Sequence, residues 1–382
     1  MNRAFDEIKK HLGFGMMRLP MKDGDIDNEA VCAMVDRFLE RGFNYFDTAH
    51  GYHDGKSEIA VRECLTSRHD RSEYLLTDKL TDEYFSSHDD IRPLFESQLE
   101  ACGTDYFDFY LMHAQNAKNF EYFKKCRAYE TAFELKKEGK IRHVGLSFHD
   151  KAEVLDRILT EYPDIEIVQI QFNYLDYEDL NVESRKVYEV CRKHDKPVLI
   201  MEPVKGGNLV NLPADAQKVL DDLREETGSE CSNAGYALRF AAGFEGIEAV
   251  LSGMSDMDQM EDNLNTFTAC DGEFAALDER EHDALRKVAD IFGAMGTIPC
   301  TGCSYCVEEN HCPMEIRIPS LFQSFNSDLL FGKVMPWMTY EILTSEGHGK
   351  ASDCIRCGMC EDVCPQHLEI RDLLEKVAEC FE

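Results

Sequence analysis

The sequence predicts an α/β protein: a (β/α)8 TIM barrel followed by a small, α-rich second domain. Apolar runs rich in β-branched and aromatic residues alternate with longer runs of helical period up to about residue 255. Beyond residue 299 the pattern changes to closely spaced cysteines with prolines. A stretch that contains two glycines and ends in proline, residues 293–299, separates the two regions. We therefore predict a barrel over residues 1–292 and a second domain over 293–382.

The predicted barrel elements follow the order strand, helix, strand. We expect strands at residues 13–19, 43–48, 74–79, 107–113, 144–148, 165–172, 197–202 and 249–253. We expect helices at residues 27–41, 91–102, 119–138, 152–161, 181–194, 214–226 and 278–292. Eight strand and helix units in about 280 residues are typical of a closed parallel barrel, because open sheets of this kind usually have fewer strands.

Charge and hydropathy limit the partners of the chain. Its 382 residues carry a formal net charge of −32, whereas binding to nucleic acid or to anionic membranes depends on clustered Lys and Arg. No apolar run reaches the length of about 18 residues that a membrane span needs, and the first residues resemble neither a secretory signal nor a transit peptide. We therefore expect a cytoplasmic protein that binds neither nucleic acid nor membranes.

Polar residues follow the ends of several predicted strands. Asp47 ends the second strand and Tyr52 lies on the loop after it. Lys79, His113 and Ser147 end the third, fourth and fifth strands. Each has a simple structural explanation by itself, such as a surface ion pair for Lys79 or a satisfied core imidazole for His113. Parallel strands bring their carboxyl ends to one face of a barrel, however, so together these residues predict a site for proton transfer.

The region from residue 10 to about 290 resembles the aldo-keto reductase family. The resemblance depends on Asp47, Tyr52, Lys79 and His113, with the flanking runs Phe-Asp-Thr-Ala, Gly-Leu-Ser-Phe, Gln-Ile-Gln-Phe-Asn and Gly-Met-Ser. It implies that Tyr52 is the general acid. A free phenol titrates near pH 10, about three units above neutral, unless a neighbouring cation favours the phenolate. By this resemblance Lys79 is that cation, Asp47 keeps Lys79 charged, and His113 aligns the carbonyl.

The resemblance also implies a nicotinamide cofactor, because side chains cannot supply a hydride. It places the nucleotide against residues from several strand ends: Gly15, Met16, Met17, Asp47, Ser147, Gln169, Met201, Gly253, Met254, Ser255, Gln259 and Asn263. Lys205 either contacts a phosphate or only ends its strand. Many NADPH-dependent members have Lys and Arg where this chain has Gly253 and Gln259. A 2′-phosphate would lose charge-assisted bonds there, so NADH is at least as favoured as NADPH.

Half of the sixteen cysteines lie in two tight groups after residue 299. The first group is Cys300, Cys303, Cys306 and Cys312, and the second is Cys354, Cys357, Cys360 and Cys364. Three thiolates at successive gaps of two residues, with a fourth before proline, are typical of iron-sulfur ligation, whereas zinc more often uses separated pairs. Residues 298–370 resemble bacterial two-cluster ferredoxins with a helical insert over 320–345.

The resemblance implies two 4Fe-4S clusters with crossed ligation. One cluster would use Cys300, Cys303, Cys306 and Cys364, and the other Cys354, Cys357, Cys360 and Cys312. The clusters either transfer electrons or only stabilise a small domain that is poor in core residues.

Two functions follow from these features. The first is an NAD(P)H-linked oxidoreductase that interconverts a small carbonyl compound and an alcohol at Tyr52. The alternative is a redox relay that couples a nucleotide-binding barrel to an external ferredoxin-type partner. The hydride carries two electrons and a cluster carries one, and no flavin-binding signature is visible in the sequence.

Overall fold

The computed structural model describes residues 4–180, 182–269, 274–308, 312–331, 334–345 and 347–382. The described chain forms two compact units. The barrel unit comprises Met1–Asp179, Glu183–Pro203 and Ala234–Asp278. The cysteine unit comprises Leu180–Val182, Val204–Asn233 and Glu279–Glu382, so it includes a loop and helix that follow a barrel strand in sequence.

The strands in chain order are β1 (Leu12–Gly15), β2 (Met21–Lys22), β3 (Asp25–Ile26), β4 (Tyr45–Asp47), β5 (Leu75–Leu80), β6 (Phe107–Gln115), β7 (Ile141–Phe148), β8 (Ile167–Gln171), β9 (Val198–Met201) and β10 (Ile247–Ser252). Eight parallel strands of the described chain close into a barrel in the order β1-β10-β9-β8-β7-β6-β5-β4. The predicted barrel is therefore confirmed, and each predicted strand overlaps an observed one.

The α-helices in chain order are α1 (Asn28–Glu40), α2 (Lys56–Val61), α3 (His88–Cys102), α4 (Ala117–Lys125), α5 (Ala128–Lys137), α6 (Ala152–Glu161), α7 (Ser184–Lys193), α8 (Ala214–Thr227), α9 (Asn233–Ala242), α10 (Met257–Thr266), α11 (Glu279–Met295), α12 (Tyr305–Glu308), α13 (Ile318–Phe331), α14 (Val334–Leu343), α15 (Met359–Asp362) and α16 (Ile370–Phe381). Short 3-10 turns lie at Asp82–Tyr84, Lys205–Gly207 and Ala351–Asp353, and a π-helical turn lies at Arg62–Thr66.

Several element boundaries differ from the sequence prediction for local reasons. The helix predicted over 119–138 is two helices, α4 and α5, because Arg127 adopts φ +56° and interrupts the helical path. Strands β2 and β3 form a hairpin that was not predicted, although Asp23 and Gly24, both at positive φ, are a typical two-residue turn. The start predicted for α7, Asn181, lies outside the described residues.

The barrel interior is filled by alternate residues of the parallel strands. Buried interior side chains share one core cluster, which comprises Phe5, Ile8, Tyr45, Leu75, Phe109, Leu111, Ile167, Leu199, Ala249 and Leu251. Side chains alternate between the two faces of a strand, so residues two positions further along each strand face the same interior one layer higher. Gly145 has no room for a side chain, since a Cβ there would lie 2.6 Å from the Ile167 carbonyl oxygen.

The cysteine unit packs a small core of its own. Ile316, Ile318, Leu321 and Phe322 are buried together with apolar residues of α16, and Tyr340 stacks on Phe381 at 4.8 Å between ring centroids. The helical insert predicted over 320–345 corresponds to α13 and α14. No helix of the described chain is both long and apolar enough to span a membrane.

Candidate functional site

The predicted catalytic residues lie at the carboxyl ends of neighbouring strands. Asp47 is two residues after interior Tyr45 on β4, and His113 is two residues after interior Leu111 on β6. Lys79 on β5 is separated from interior Leu75 by two such steps. The same alternation that fills the core therefore directs these three side chains into the upper layer of the barrel. Tyr52 lies on the loop between β4 and α2.

Lys79 joins the acid and the phenol. Its Nζ donates to Asp47 Oδ1 at 2.6 Å and to the Thr48 carbonyl oxygen at 2.7 Å, and lies 3.4 Å from the Tyr52 hydroxyl. Lys79 is fully buried. Burial alone lowers the pKa of the ammonium, but the neighbouring Asp47 and Tyr52 outweigh it and the net pKa is raised. The structure therefore holds a charged lysine in a buried place.

Asp47 is held by more than its lysine. Gln169 Nε2 donates to Asp47 Oδ2 at 3.2 Å. Burial raises the pKa of Asp47, while the charge and hydrogen bond of Lys79 and the hydrogen bond of Gln169 oppose that rise. Both carboxylate oxygens thus have donors, which is the condition for keeping a buried ion pair in place.

His113 completes the group as a neutral imidazole. Its ring centroid lies 6.0 Å from that of Tyr52 in an edge-on arrangement, and its Nδ1 lies 2.7 Å from the Thr81 hydroxyl. Burial, then the charge of Lys79 and of His149, lower the pKa of His113 well below its usual value. The imidazole is therefore neutral at neutral pH and keeps one ring N–H as a donor.

Ser147 and Gln169 have the donors and acceptors that a carboxamide requires. The Ser147 hydroxyl oxygen accepts from the Ala114 amide at 2.8 Å, and no acceptor for its hydrogen lies among the described residues. Gln169 uses its amide nitrogen on Asp47, whereas its Oε1 accepts no hydrogen bond within the described chain. A hydroxyl donor and an amide acceptor, paired in register on adjacent strands, fit a nicotinamide carboxamide. Met201 ends β9, next to Gln169's strand in the barrel.

Strand β1 ends beside the upper layer of the barrel, which contains Asp47. Gly15 ends β1 opposite Asp47 in the register of β4, and the Met16 amide donates to the Asp47 carbonyl oxygen at 2.8 Å. Met16 is buried and Met17 is half-buried. Of the three residues predicted to line the site from this strand, Gly15 and Met16 therefore lie beside Asp47.

The residues predicted for the far end of the nucleotide lie after β10. Met254 is buried, and the Ser255 amide donates to Gln259 Oε1 at 3.0 Å. Buried Asn263 donates to the Ser252 hydroxyl at 2.9 Å. The backbone amide of Gln259 donates to Asp256 Oδ1 at 2.8 Å. These contacts order the loop and the first turn of α10.

Arg18 is a cation in this region that the sequence prediction missed. A Cβ on Gly253 would lie 3.1 Å from Arg18 Cβ, so the glycine leaves room for the arginine side chain. Arg18 Nη2 lies 3.6 Å from Glu202 Oε1, and the Arg18 carbonyl oxygen accepts from the Ser255 hydroxyl at 3.0 Å. No signal in the sequence indicates this role, because Arg18 lies inside the strand predicted over 13–19, where nothing distinguishes it from a surface arginine.

A buried carboxyl pair behind Lys79 was also missed. Asp78 faces away from the barrel interior because it is one residue from Lys79, and it interacts with Glu58 of α2. Burial raises the pKa of Glu58 to about 7, and burial together with Glu58 also raises the pKa of Asp78 above its usual value. Gln98 donates to both Glu58 Oε1 and the Lys79 carbonyl oxygen, at 3.3 and 2.9 Å. Glu58 is also 2.9 Å from His50 Nδ1 on the Tyr52 loop, so the pair connects this loop to β5.

In the cysteine unit, one recess is lined by cysteines from both sequence groups. Cys300, Cys303 and Cys306 line it together with Cys364. Its walls are otherwise mostly apolar and include Ile318, Pro319, Phe322, Leu368 and Ile370. Its volume is about 320 Å³, counting the part that is open to solvent.

Another recess has the complementary set of cysteines. Cys354, Cys357 and Cys360 line it together with Cys312. Its volume is about 350 Å³, counting the part that is open to solvent, and Ile318 lines this recess as well as the first. Ile318 therefore borders both groups of thiols.

The backbone around the cysteines repeats between the halves of this unit. Residues at positive φ occur two and four positions after the first cysteine of each CxxCxxC run and three positions after the fourth cysteine of each sequence group: Gly302, Ser304 and Glu315 in one half, and Arg356, Gly358 and His367 in the other. Consecutive turns of this kind direct amide groups at a shared anionic centre. Gly302 donates its amide to Cys300 Sγ at 3.4 Å, and amides of Leu368, Gln366 and His367 favour the Cys364 thiolate.

The chemistry of the cysteine thiols in these recesses fits a bound metal group, which is positively charged. Burial and the neighbouring thiols raise the pKa of Cys306, and burial, Glu361 and the nearby Cys354 raise that of Cys360 to about 12. Clustered thiolates are therefore unfavourable by themselves. Metal ions reverse this balance, because a coordinating thiol is deprotonated.

Lys205 lies in the cysteine unit, in the 3-10 turn after β9. It is buried at φ +48°, and its Nζ donates to Gln366 Oε1 at 3.1 Å. Gln366 lines the first recess beside Cys364. The next residue, Gly206, has no space for a side chain, because a Cβ would lie 2.1 Å from the Thr301 carbonyl oxygen. The turn therefore packs against the chain that carries the first cysteine group.

Comparisons with known proteins agree with this arrangement. The aldo/keto reductase family matches residues 11–289, and a 4Fe-4S dicluster domain matches residues 299–368. Similar relatives include the NADH-specific methylglyoxal reductase of Escherichia coli, 25% identical over 287 residues, which are 64% of this chain and 85% of that protein. Another is methylglyoxal reductase DkgA of Escherichia coli O157:H7, 31% identical over 224 residues, 58% of this chain and 74% of that one.

Solved structures show the same fold over the barrel region. An aldo-keto reductase from Bacillus halodurans in its holo form has a TM-score of 0.58 and 24% identity, covering 73% of this chain and 91% of that one. An aldo-keto reductase from Klebsiella pneumoniae in complex with NADPH has a TM-score of 0.59 and 19% identity, covering 73% and 90%. The chain is a member of the aldo/keto reductase family with a 4Fe-4S dicluster domain after its barrel region.

Proposed function

We propose that the protein is an NAD(P)H-linked reductase of small carbonyl compounds with Tyr52 as the proton donor. The observation that carries the proposal is the buried Lys79 ammonium, which lies 2.6 Å from Asp47 and 3.4 Å from the Tyr52 hydroxyl. A nicotinamide bound beside Ser147 and Gln169 would supply the hydride. The side chains of the site would donate the proton and orient the carbonyl.

Tyr52 gives its proton to the oxygen that develops charge when the carbonyl is reduced. The Lys79 ammonium favours the phenolate left behind, and Asp47 keeps that ammonium charged. His113 donates from its neutral ring to the same oxygen: when the Thr81 hydroxyl donates to Nδ1, the ring proton lies on Nε2. Reversal of these steps would oxidise the alcohol.

For the cysteine unit we propose two 4Fe-4S clusters, held by Cys300, Cys303, Cys306 and Cys364 and by Cys354, Cys357, Cys360 and Cys312. The lining of the recesses supports this crossed set. Bound clusters would supply one-electron transfer. The cysteines hold the metal, and the amides around Cys300 and Cys364 stabilise the sulfur charge.

The Tyr52→Phe variant tests the reductase proposal. We expect turnover of a small dicarbonyl such as methylglyoxal, the compound named for both reductase relatives, to fall at least about 100-fold, because the general acid is lost. NADH and NADPH titrations followed by nucleotide fluorescence should give dissociation constants within about threefold of the wild type. Tyr84→Phe is the matched control, since the Tyr84 ring packs on His50 at 4.5 Å beside the same loop. Unchanged turnover in Tyr52→Phe would contradict the proposal.

A redox relay is the second candidate, and one observation favours it. Ile318 lines both cysteine recesses, so clusters bound there would lie close enough to exchange electrons. An external ferredoxin-type protein would then be the partner. Electron paramagnetic resonance signals of reduced clusters after addition of NADH, without any carbonyl compound, would favour the relay, and unchanged spectra would count against it.

A further inference from the structure

We propose that Cys32 and Cys64 form a reversible disulfide that closes the segment carrying Asp47 and Tyr52. The Sγ atoms of these residues are 2.7 Å apart. Carbon atoms in van der Waals contact lie about 3.5–4.0 Å apart, and sulfur is larger than carbon, whereas a disulfide bond is about 2.05 Å long. The two sulfur atoms therefore lie closer than an ordinary contact and within about 0.7 Å of a bonded separation.

Polar contacts on both sides of the sulfur atoms hold the two main-chain segments together. Cys32 lies on α1 and Cys64 in the π-helical turn Arg62–Thr66. One turn earlier on α1, Asn28 donates to Glu63 Oε2 at 2.5 Å, and one turn later Asp36 accepts from Arg68 at 2.7 Å. The sulfur pair is thus the middle rung of three contacts spaced four residues apart along the helix.

Arg68 also bridges the backbones of both cysteines. Its Nη1 donates to the Cys32 carbonyl oxygen at 3.4 Å and to the Cys64 carbonyl oxygen at 3.1 Å. Arg68 therefore holds the main-chain segments of the two cysteines next to each other. The π-helical turn is itself an unusual element, and such turns are frequent at functional positions.

Exposure decides which thiol reacts first. Cys32 is partly exposed, whereas Cys64 is buried and burial raises the pKa of its thiol. The Cys32 thiolate would attack one sulfur of a low-molecular-weight disulfide, forming a mixed disulfide and releasing one thiol. Cys64, deprotonated, would then attack Cys32 Sγ and release the second thiol. Both cysteines together lose two electrons and two protons, and the oxidant gains them as two thiols.

The position of the bond in the chain predicts an effect on stability. The chain between Cys32 and Cys64 contains β4 with Asp47 and the loop with Tyr52. A bond that closes this segment reduces the freedom of its unfolded form and so raises the resistance of the barrel unit to unfolding. The oxidised protein is expected to have the higher thermal midpoint.

The test uses the full chain with its clusters intact, prepared without oxygen. One sample is incubated with oxidised glutathione and another with dithiothreitol, and free thiols are then blocked with N-ethylmaleimide. Trypsin releases Cys32 in residues 23–37 and Cys64 in residues 63–68. We expect a cross-linked pair whose mass equals the sum of these peptides less two hydrogens. It should be present only after oxidation and removed by dithiothreitol.

Two variants distinguish the proposed disulfide from oxidation of other cysteines. Cys32→Ser should abolish the cross-linked peptide and the difference in thermal midpoint between oxidised and reduced samples. Cys126→Ser should retain both, because the Cys126 thiol donates to the Ser86 carbonyl oxygen and not to another sulfur. Recovery of Cys32 only as a glutathione adduct or as an alkylated thiol, while the cluster absorbance is unchanged, would overturn the proposal.

Discussion

Lys79 is the residue on which the proposed chemistry depends. An ammonium that is fully buried normally loses its proton, because burial disfavours the charged form. Here Asp47, itself held by Gln169, offsets that cost and raises the pKa of the lysine. The three side chains come from β4, β5 and β8, so the charge at the phenol depends on contacts across the barrel.

Asp47→Asn should move the alkaline limit of activity to lower pH. The wild-type carboxylate raises the pKa of Lys79, and an amide at this position cannot, so burial then lowers it. The lysine will lose its proton at a pH where the wild type is still charged. The measurement is turnover against pH for both proteins, with Asp54→Asn as a control on the exposed part of the loop. An alkaline limit that does not move would show that Lys79 is not tuned by Asp47.

At the scale of elements, the two faces of β5 direct ionisable side chains into different surroundings. Lys79 faces the barrel interior, and Asp78 faces α2 and α3, where it pairs with Glu58. Two buried carboxyl groups in contact share a proton at neutral pH. This pair, with Gln98 and His50, connects β5 to the loop of Tyr52.

Glu58→Gln should stabilise the protein at pH 8 but not at pH 4.5. The folded-state pKa of Glu58 is raised from 4.5 to about 7, so folding binds a proton that the unfolded chain releases between these values. The stability contributed by this protonated group is therefore lost as pH rises from 4.5 to 7. The neutral amide avoids that loss. Thermal midpoints at both pH values measure the effect, and an equal difference at each pH would contradict it.

The 3-10 turn after β9 places a charged residue beside the first cysteine recess. Lys205 is a buried cation whose ammonium bonds Gln366 at the first cysteine recess. A nearby positive charge favours the more negative, reduced form of a bound cluster.

Lys205→Met should lower the reduction potential of the cluster that we propose at Cys300, Cys303, Cys306 and Cys364. The variant keeps most of the buried side-chain volume and removes the charge. An anaerobic redox titration followed by electron paramagnetic resonance measures the potential. Lys218→Met is the control, because Lys218 lies exposed on α8 of the same unit and pairs with Asp222. An unchanged or higher potential in Lys205→Met would contradict this role.

At the scale of the molecule, the sequence predicted the barrel because strand alternation is local. Asp47 and His113 could be placed at one end of the barrel because each ends a predicted strand, and parallel strands bring their carboxyl ends to one face. The Glu58 and Asp78 pair could not be predicted, because which acid faces which helix depends on packing. Lys205 was expected to contact a phosphate or end its strand, and its contact with Gln366 joins residues 161 positions apart.

The domain boundary depends on the same long-range packing. A change of composition at residue 293 led to the prediction of two domains divided there. The cysteine unit also includes Val204–Asn233 and α11, which no local pattern associates with cysteines. Contacts such as that of Asn208 with the Cys300 carbonyl oxygen, at 2.9 Å, explain this grouping.

The most direct measurement follows a deuterium label from the nucleotide. NADH carrying deuterium at the transferable position of the nicotinamide is mixed with the protein and a small dicarbonyl, and the product is analysed by mass spectrometry. The account predicts that the label appears on the reduced carbon in the wild type and at least about 100-fold more slowly in Tyr52→Phe. Oxidation of NADH with reduction of the clusters, and no label in any product, would contradict it and favour the redox relay.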